Sequence, residues 1–244
     1  TQQGKLPLYS RVDAYIPEVG QMKVEVMGPS GKMELVDQKQ PMRIQDLMRH
    51  TSGLAYGGRP DTSGAAASRY PATGDLPVMS GAQEFIQRVT SLPLVYQPGT
   101  TFEYSTSFEM LGAIVERVTQ QRLGAYLKQV VWDPLGMKDT MFLVPEQQLH
   151  RVARGFANDP LTGKPQAIHP VNQNPRFDCG GGCAFSTVPD YLRFGQMLLN
   201  GGHLKQTVVL GSGMVKLMTH NHLDASIANR VAQVEPHRAG YGFG

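Results

Sequence analysis

Between residues 96 and 120 the chain passes from a turn, through a short corner, into a helix, and no other stretch is so narrowly determined. Gln97-Pro98-Gly99-Thr100 is turn chemistry, because proline presets one backbone angle and glycine supplies a left-handed one. Phe102-Glu103-Tyr104-Ser105-Thr106-Ser107 follows. From about residue 107 to 120, Phe108, Leu111, Val115 and Val118 recur at helical spacing, with Met110 and Ile114 broadening the stripe. A tyrosine at such a junction can be held rigidly while its hydroxyl faces a cleft. Alone the signal is weak, since buried tyrosines are usually core residues with a satisfied hydroxyl.

The flanking chain supplies a frame. Gly4-Lys5-Leu6-Pro7-Leu8 reads as the end of a helix stopped by glycine. A short turn is expected at residues 12–15, before Pro17. Residues 22–27 alternate as a strand, with 33–36 as the return strand of a hairpin. Residues 43–49 form a short helix with Ile44, Leu47 and Met48 on one face. His50-Thr51-Ser52-Gly53-Leu54 is turn material, expected to support the cleft, with His50 hydrogen-bonded to backbone. Residues 55–80 lack periodicity, and a loop this long suits the wall or lid of a cleft. Ser80 is expected to cap a helix carrying Phe85, Ile86 and Val89 that stops before Pro93.

Beyond the corner, a second helix is expected at residues 123–131, ending at Asp133-Pro134-Leu135-Gly136-Met137, then a short strand at 140–144. Residues 147–173 are turn-rich. Gly180-Gly181-Gly182 is a bend, and Ser186 or Thr187 caps a helix begun by Pro189 and lined by Tyr191, Phe194, Met197 and Leu198. Gly201-Gly202 ends it. A further helix spans 213–220 with Val215, Leu217 and Met218, and residues 240–244 read as the start of a strand. No repeat, linker or domain boundary interrupts residues 1–244, so one domain is expected.

With 41% hydrophobic and 18% charged residues the chain can build a core and is not of disordered type. A formal charge of +3 is too small to suggest nucleic acid or an anionic membrane as partner. No apolar run approaches membrane-spanning length. Cys179 and Cys183 make neither a disulfide framework nor a complete zinc site; two reduced thiols in a tight turn are expected, with a short-loop disulfide as the alternative. His220-Asn221-His222-Leu223-Asp224 has metal-like residue types but reads as a solvated loop, so no metal or other cofactor is expected. Gly-x-Ser-x-Gly, phosphate-loop and dinucleotide fingerprints are absent from the sequence. Glu103 reads as a surface strand residue rather than a base.

In combination the motifs are more specific. Pro41-Met42-Arg43-Ile44-Gln45-Asp46-Leu47-Met48-Arg49-His50-Thr51-Ser52-Gly53-Leu54, Gln97-Pro98-Gly99-Thr100-Thr101-Phe102-Glu103-Tyr104-Ser105, Leu111-Gly112-Ala113-Ile114-Val115-Glu116, Asp133-Pro134-Leu135-Gly136-Met137-Lys138-Asp139-Thr140, and Gly180-Gly181-Gly182 running to Ser186-Thr187 occur in that order. Together they resemble the serine β-lactamase-related hydrolases: class C β-lactamases, DD-peptidases and family VIII carboxylesterases. The resemblance covers almost the whole chain. It implies an α+β fold of the β-lactamase/penicillin-binding-protein type, an antiparallel sheet flanked by helices beside a mostly helical region, with the site between them.

The family carries Ser-x-x-Lys at the start of a buried helix and a later Lys-Thr-Gly, His-Gly-Gly or Trp-Gly-Gly strand. No serine here has lysine three residues on, and that strand motif is also missing. The chain therefore reads as the central portion of such a domain, with the nucleophile helix expected before Thr1 and the last strands after Gly244. Compartment and oligomeric state stay open: periplasmic, secreted and cytoplasmic locations all fit.

The resemblance assigns Tyr104 as the catalytic tyrosine and Ser105 as the middle residue of its motif. Thr106 stands where β-lactamases have an asparagine that binds the β-lactam side chain, which makes it a candidate substrate contact. Losing that amide tilts the expected substrate from β-lactams to small esters. The implied reaction is acyl transfer through an acyl-serine. A nearby lysine ammonium would lower the tyrosine pKa from about 10, and Tyr104 would then move the serine proton, a contribution of roughly 10²–10⁴-fold. A non-catalytic binding protein, an acyltransferase and a D-amino-acid peptidase on the same fold are the alternatives.

Overall fold

A computed structural model describes residues 4–58, 66–166, 171, 174–229 and 240–243. Helices dominate, and the strands are short. β1 (Val24–Met27) and β2 (Met33–Val36) form the expected antiparallel hairpin, with Val24 opposite Val36. The helix α1 (Ile44–Met48) turns Ile44 and Leu47 fully inward. α2 (Ala82–Thr90) buries Phe85, Ile86 and Val89 as expected, but Gly81 rather than Ser80 occupies its N-cap. Ser80 sits one residue earlier, where its N–H and hydroxyl both meet the Glu84 carboxylate.

β3 (Thr101–Phe102) leads into α3 (Ser107–Thr119), which Gln120 ends in the left-handed conformation. Its most buried apolar side chains are Met110, Ala113 and Ile114. The expected stripe of Phe108, Leu111, Val115 and Val118 instead lines an apolar cavity of about 440 Å³, together with Met214, Leu217 and Met218. Two adjoining faces of one helix are apolar, so periodicity alone could not say which is sealed.

The second helix is longer than expected. α4 (Leu123–Leu127) runs through a π turn, Lys128–Trp132, into α5 (Asp133–Leu135), and Gly136 in the left-handed region closes it. Residues 140–144 form no strand; Met141 makes one antiparallel bridge to Phe185. α6 (Val188–Leu199) is capped by Thr187, whose hydroxyl accepts the Asp190 N–H, and Pro189 lies in its first turn. Met197 is buried on it, whereas Tyr191 points to solvent. β4 (His203–Leu204) and β5 (Thr207–Val208) form a small hairpin, α7 (Ser212–Thr219) follows, and β6 (Ala228–Asn229) pairs in parallel with β3. The loop expected at 55–80 contains short 3-10 turns at Ala67–Arg69 and Thr73–Val78. Gly4 has a positive φ of 74°, while the helix expected before it lies outside the described residues. Residues 240–243 form no strand.

The main core gathers α1, α2, α3 and the hairpin; a second cluster holds Leu123, Trp132, Leu135, Met137, Phe142 and Met197. The α+β class is as the motifs imply; among the described residues the strands form three separate two-stranded ladders, one of them the parallel β3–β6 pair, rather than one antiparallel sheet. Among the described residues no helix is long and apolar enough to cross a membrane.

Candidate active site

The corner at Tyr104 is built by two segments lying side by side. Asp46, buried near the start of α1, accepts the Arg43 N–H at 2.9 Å, the Arg49 guanidinium at 3.0 Å and the Thr51 hydroxyl at 3.1 Å. One carboxylate thus ties the first turn of α1 to its exit. The chain then leaves through His50, whose φ of 55° is left-handed and unusual for a residue with a Cβ. Gly53 follows at φ 83°, so close to Tyr96 that a Cβ would overlap its carbonyl oxygen.

This reversal lays residues 50–55 against residues 95–106. The Val95 N–H donates to Gly53 O at 2.8 Å, Gly99 N–H to Thr51 O at 2.7 Å, and Glu103 N–H to His50 O at 2.9 Å. His50 is thereby brought beneath Tyr104, with ring centroids 4.4 Å apart. Its Nδ1 accepts the Ser105 N–H at 3.2 Å, the backbone bond expected of it. Ser105 Oγ lies 2.7 Å from Ser107 Oγ, which lies 2.8 Å from Ser52 Oγ. His50 and Ser52 are not a catalytic pair; each is spent on a different residue of the corner.

Tyr104 is 37% exposed, while His50, Ser105, Thr106 and Ser107 have no exposure. Tyr241 comes from the far end of the chain and stands 5.5 Å from His50 by ring centroids. Burial first, and the neighbouring Tyr104 second, push the Tyr241 pKa up to about 12. On the other flank Tyr56 lies 5.9 Å from Tyr104 by centroids and donates its hydroxyl hydrogen to the Glu109 carboxylate. Burial raises the Glu109 pKa above the usual carboxylate range, although Tyr56 and the Gly181 N–H pull the other way by favouring its charged form.

Gly181 belongs to the glycine bend, which abuts α3. A Cβ on Gly180 would overlap the Phe108 carbonyl oxygen, and one on Gly181 would overlap Glu109. Cys179 and Cys183 close this bend as a disulfide, correcting the expectation of two thiols: five residues folded back over α3 bring the sulfurs together. Asp178, just before it, holds the Gly124 N–H at 2.9 Å and pairs with Arg122.

Other expected positions fall as follows. Thr106 is fully buried beside Tyr104, and its Oγ1 has no hydrogen-bond partner among the described residues. Glu103 is buried at 7% exposure rather than on the surface, because its N–H joins the pairing with His50. His222 is not a solvated loop residue: it stacks on Phe243 at 3.6 Å, and its Nε2 meets Leu217 O at 2.7 Å. Tyr56, Glu109 and Tyr241 carry no local signal in the sequence. Glu109 could have been suspected only as a charged residue inside an otherwise apolar helix.

Comparison with known proteins bears on family and fold. The Beta-lactamase family model matches residues 1–244. An uncharacterized protein of Mycobacterium tuberculosis is 33% identical over 250 residues, 99% of this chain and 60% of the relative. Esterase EstB of Burkholderia gladioli is 31% identical over 148 residues, 60% of this chain and 34% of the relative. Among solved structures, simvastatin synthase LovD from Aspergillus terreus matches 99% of this chain and 62% of its own with a TM-score of 0.76 at 25% identity. The chain thus spans about 60% of the length of the Mycobacterium relative. With the family model covering every residue and the fold shared end to end, the chain belongs to the beta-lactamase family.

Proposed function

We propose that Tyr104 is the proton-transfer residue of a serine hydrolase that acts on small carboxylic esters through an acyl-serine. The observation that carries this reading is the contrast at the corner. Tyr104 is partly exposed, while the residues that fix its backbone are sealed. Similarity to an esterase over part of the chain supports the substrate class.

In this reading the serine and lysine lie outside these 244 residues. The lysine ammonium stabilises the Tyr104 phenolate, which takes the proton as serine Oγ bonds to the ester carbonyl carbon. Collapse of the tetrahedral adduct breaks the ester C–O bond, and the leaving alkoxide takes the proton from Tyr104. Water then attacks the acyl-serine by the same proton path in reverse. Thr106 is the proposed substrate-side residue by its place in the motif, a contact that requires its sealed and unpaired hydroxyl to be uncovered.

The test is turnover of a nitrophenyl ester by the full-length protein and by its Tyr104→Phe variant. The variant is expected to stay folded and lose roughly 10²–10⁴-fold in kcat. Near-normal turnover would sink the assignment. A full-length protein that neither turns over esters nor reacts with a serine-directed phosphonate would favour a binding protein on the same fold.

A further inference from the structure

We infer that His50 is a positioning residue for Tyr104, gripping it through its backbone neighbours and its ring at once. The inference rests on the reading of Tyr104 as the proton-transfer group.

His50 engages three consecutive residues. Its carbonyl accepts the Glu103 N–H, its Nδ1 accepts the Ser105 N–H, and its ring lies 33° from the plane of the Tyr104 ring. The Ser105 hydroxyl, also 3.2 Å from Nδ1, continues through Ser107 to Ser52, which accepts the Leu54 N–H at 3.1 Å. The bend carrying Tyr104 is therefore fastened on both sides to the turn that carries His50.

Filling space does not explain a histidine here. The ring is enclosed by Phe102, Tyr104, Phe108 and Tyr241, with centroid separations of 6.2, 4.4, 4.7 and 5.5 Å. A phenylalanine would fill that volume but would leave the buried Ser105 N–H without its acceptor. An Nδ1 that accepts from an N–H carries a lone pair, which makes the imidazole the neutral Nε2–H tautomer. The left-handed backbone at His50 is strain retained in order to place that acceptor. A phenol that must meet two oxygens in turn gains rate from such fixation, because a displacement of 1 Å can cost about 10²-fold.

The test measures kcat and KM for nitrophenyl ester hydrolysis by the full-length protein, with thermal melting as the check on folding. His50→Phe keeps a ring and removes the acceptor. His50→Asn keeps a polar acceptor, suits the left-handed backbone, and removes the ring. Each is expected to lower kcat by roughly 10–10²-fold with KM changed by less than about threefold, and neither should lower the residual rate of Tyr104→Phe further. If His50→Phe does not fold, His50→Asn carries the measurement. A folded variant with kcat within about twofold of the parent overturns the inference, as does an equal loss in the Tyr104→Phe background. Should Tyr104→Phe itself remain active, the underlying reading of Tyr104 fails instead.

Discussion

The hydroxyl of Tyr56 lies 2.8 Å from Oε1 and 2.9 Å from Oε2 of Glu109, a carboxylate with 1% exposure. One hydrogen is shared between both oxygens, and the Gly181 N–H adds a second donor. Burial outweighs them and raises the Glu109 pKa, so protonation is easier in the folded chain than in the unfolded one. A raised folded pKa means that the stabilising contribution is complete below the unfolded value. It is lost as pH rises through the folded value. Glu109→Gln cannot ionise, so its melting temperature relative to the parent should improve as pH rises from the ordinary carboxylate range through the raised Glu109 pKa, and then level off. A difference that stays flat or falls as pH rises from the ordinary carboxylate range would contradict the burial-driven shift.

Thr106 hides a hydroxyl that no described residue satisfies. An unpaired buried hydroxyl costs about 1–3 kcal/mol. Thr106→Val keeps the shape and removes that cost, so it should melt at or above the parent temperature. If Thr106 meets substrate, KM for esters should rise in the same variant while stability does not fall. Lower stability with unchanged KM would assign Thr106 to packing alone.

Gly180 meets α3 without a side chain, and a Cβ would press on the Phe108 carbonyl and the Gly112 N–H. Both neighbours are helix backbone and cannot swing aside. Gly180→Ala is expected to cost about 1–3 kcal/mol, read by urea denaturation. Gly182→Ala is the control, since a Cβ there meets nothing within 4 Å and should change stability little.

Asp46 gathers the Arg43 N–H, the Arg49 guanidinium and the Thr51 hydroxyl in a buried setting. Removing one partner of a buried pair strands the other, at a cost of roughly 3 kcal/mol. Asp46→Ala should lose stability of that order and also lower ester turnover, because the turn through His50 hangs on it. Urea curves and kcat on the same preparation would show whether both fall; an unchanged kcat in a folded variant would separate Asp46 from the corner.

The hairpin, α1, α2 and α3 are legible in the chain because each is local: alternation for β1 and β2, helical spacing for the rest, and turn residues between them. Ordered motifs likewise point to the family and to Tyr104. The strand expected at 140–144 reduces to one bridge, because a ladder needs a partner at the right register and Met141 finds only Phe185. Tyr191 reads as a core residue by spacing yet faces solvent, since spacing marks an apolar face without showing what covers it.

The corner is written locally: a Pro-Gly turn, a tyrosine, and a helix that starts within three residues of it. The company Tyr104 keeps is set by long-range packing. His50 is 54 positions earlier, Glu109 bonds to Tyr56 across 53 positions, and Tyr241 arrives from near the end of the chain. Such pairings depend on which backbone segments lie side by side. That is settled by the left-handed turn at His50 and the packing of α1 on α3, not by any residue pattern along the chain.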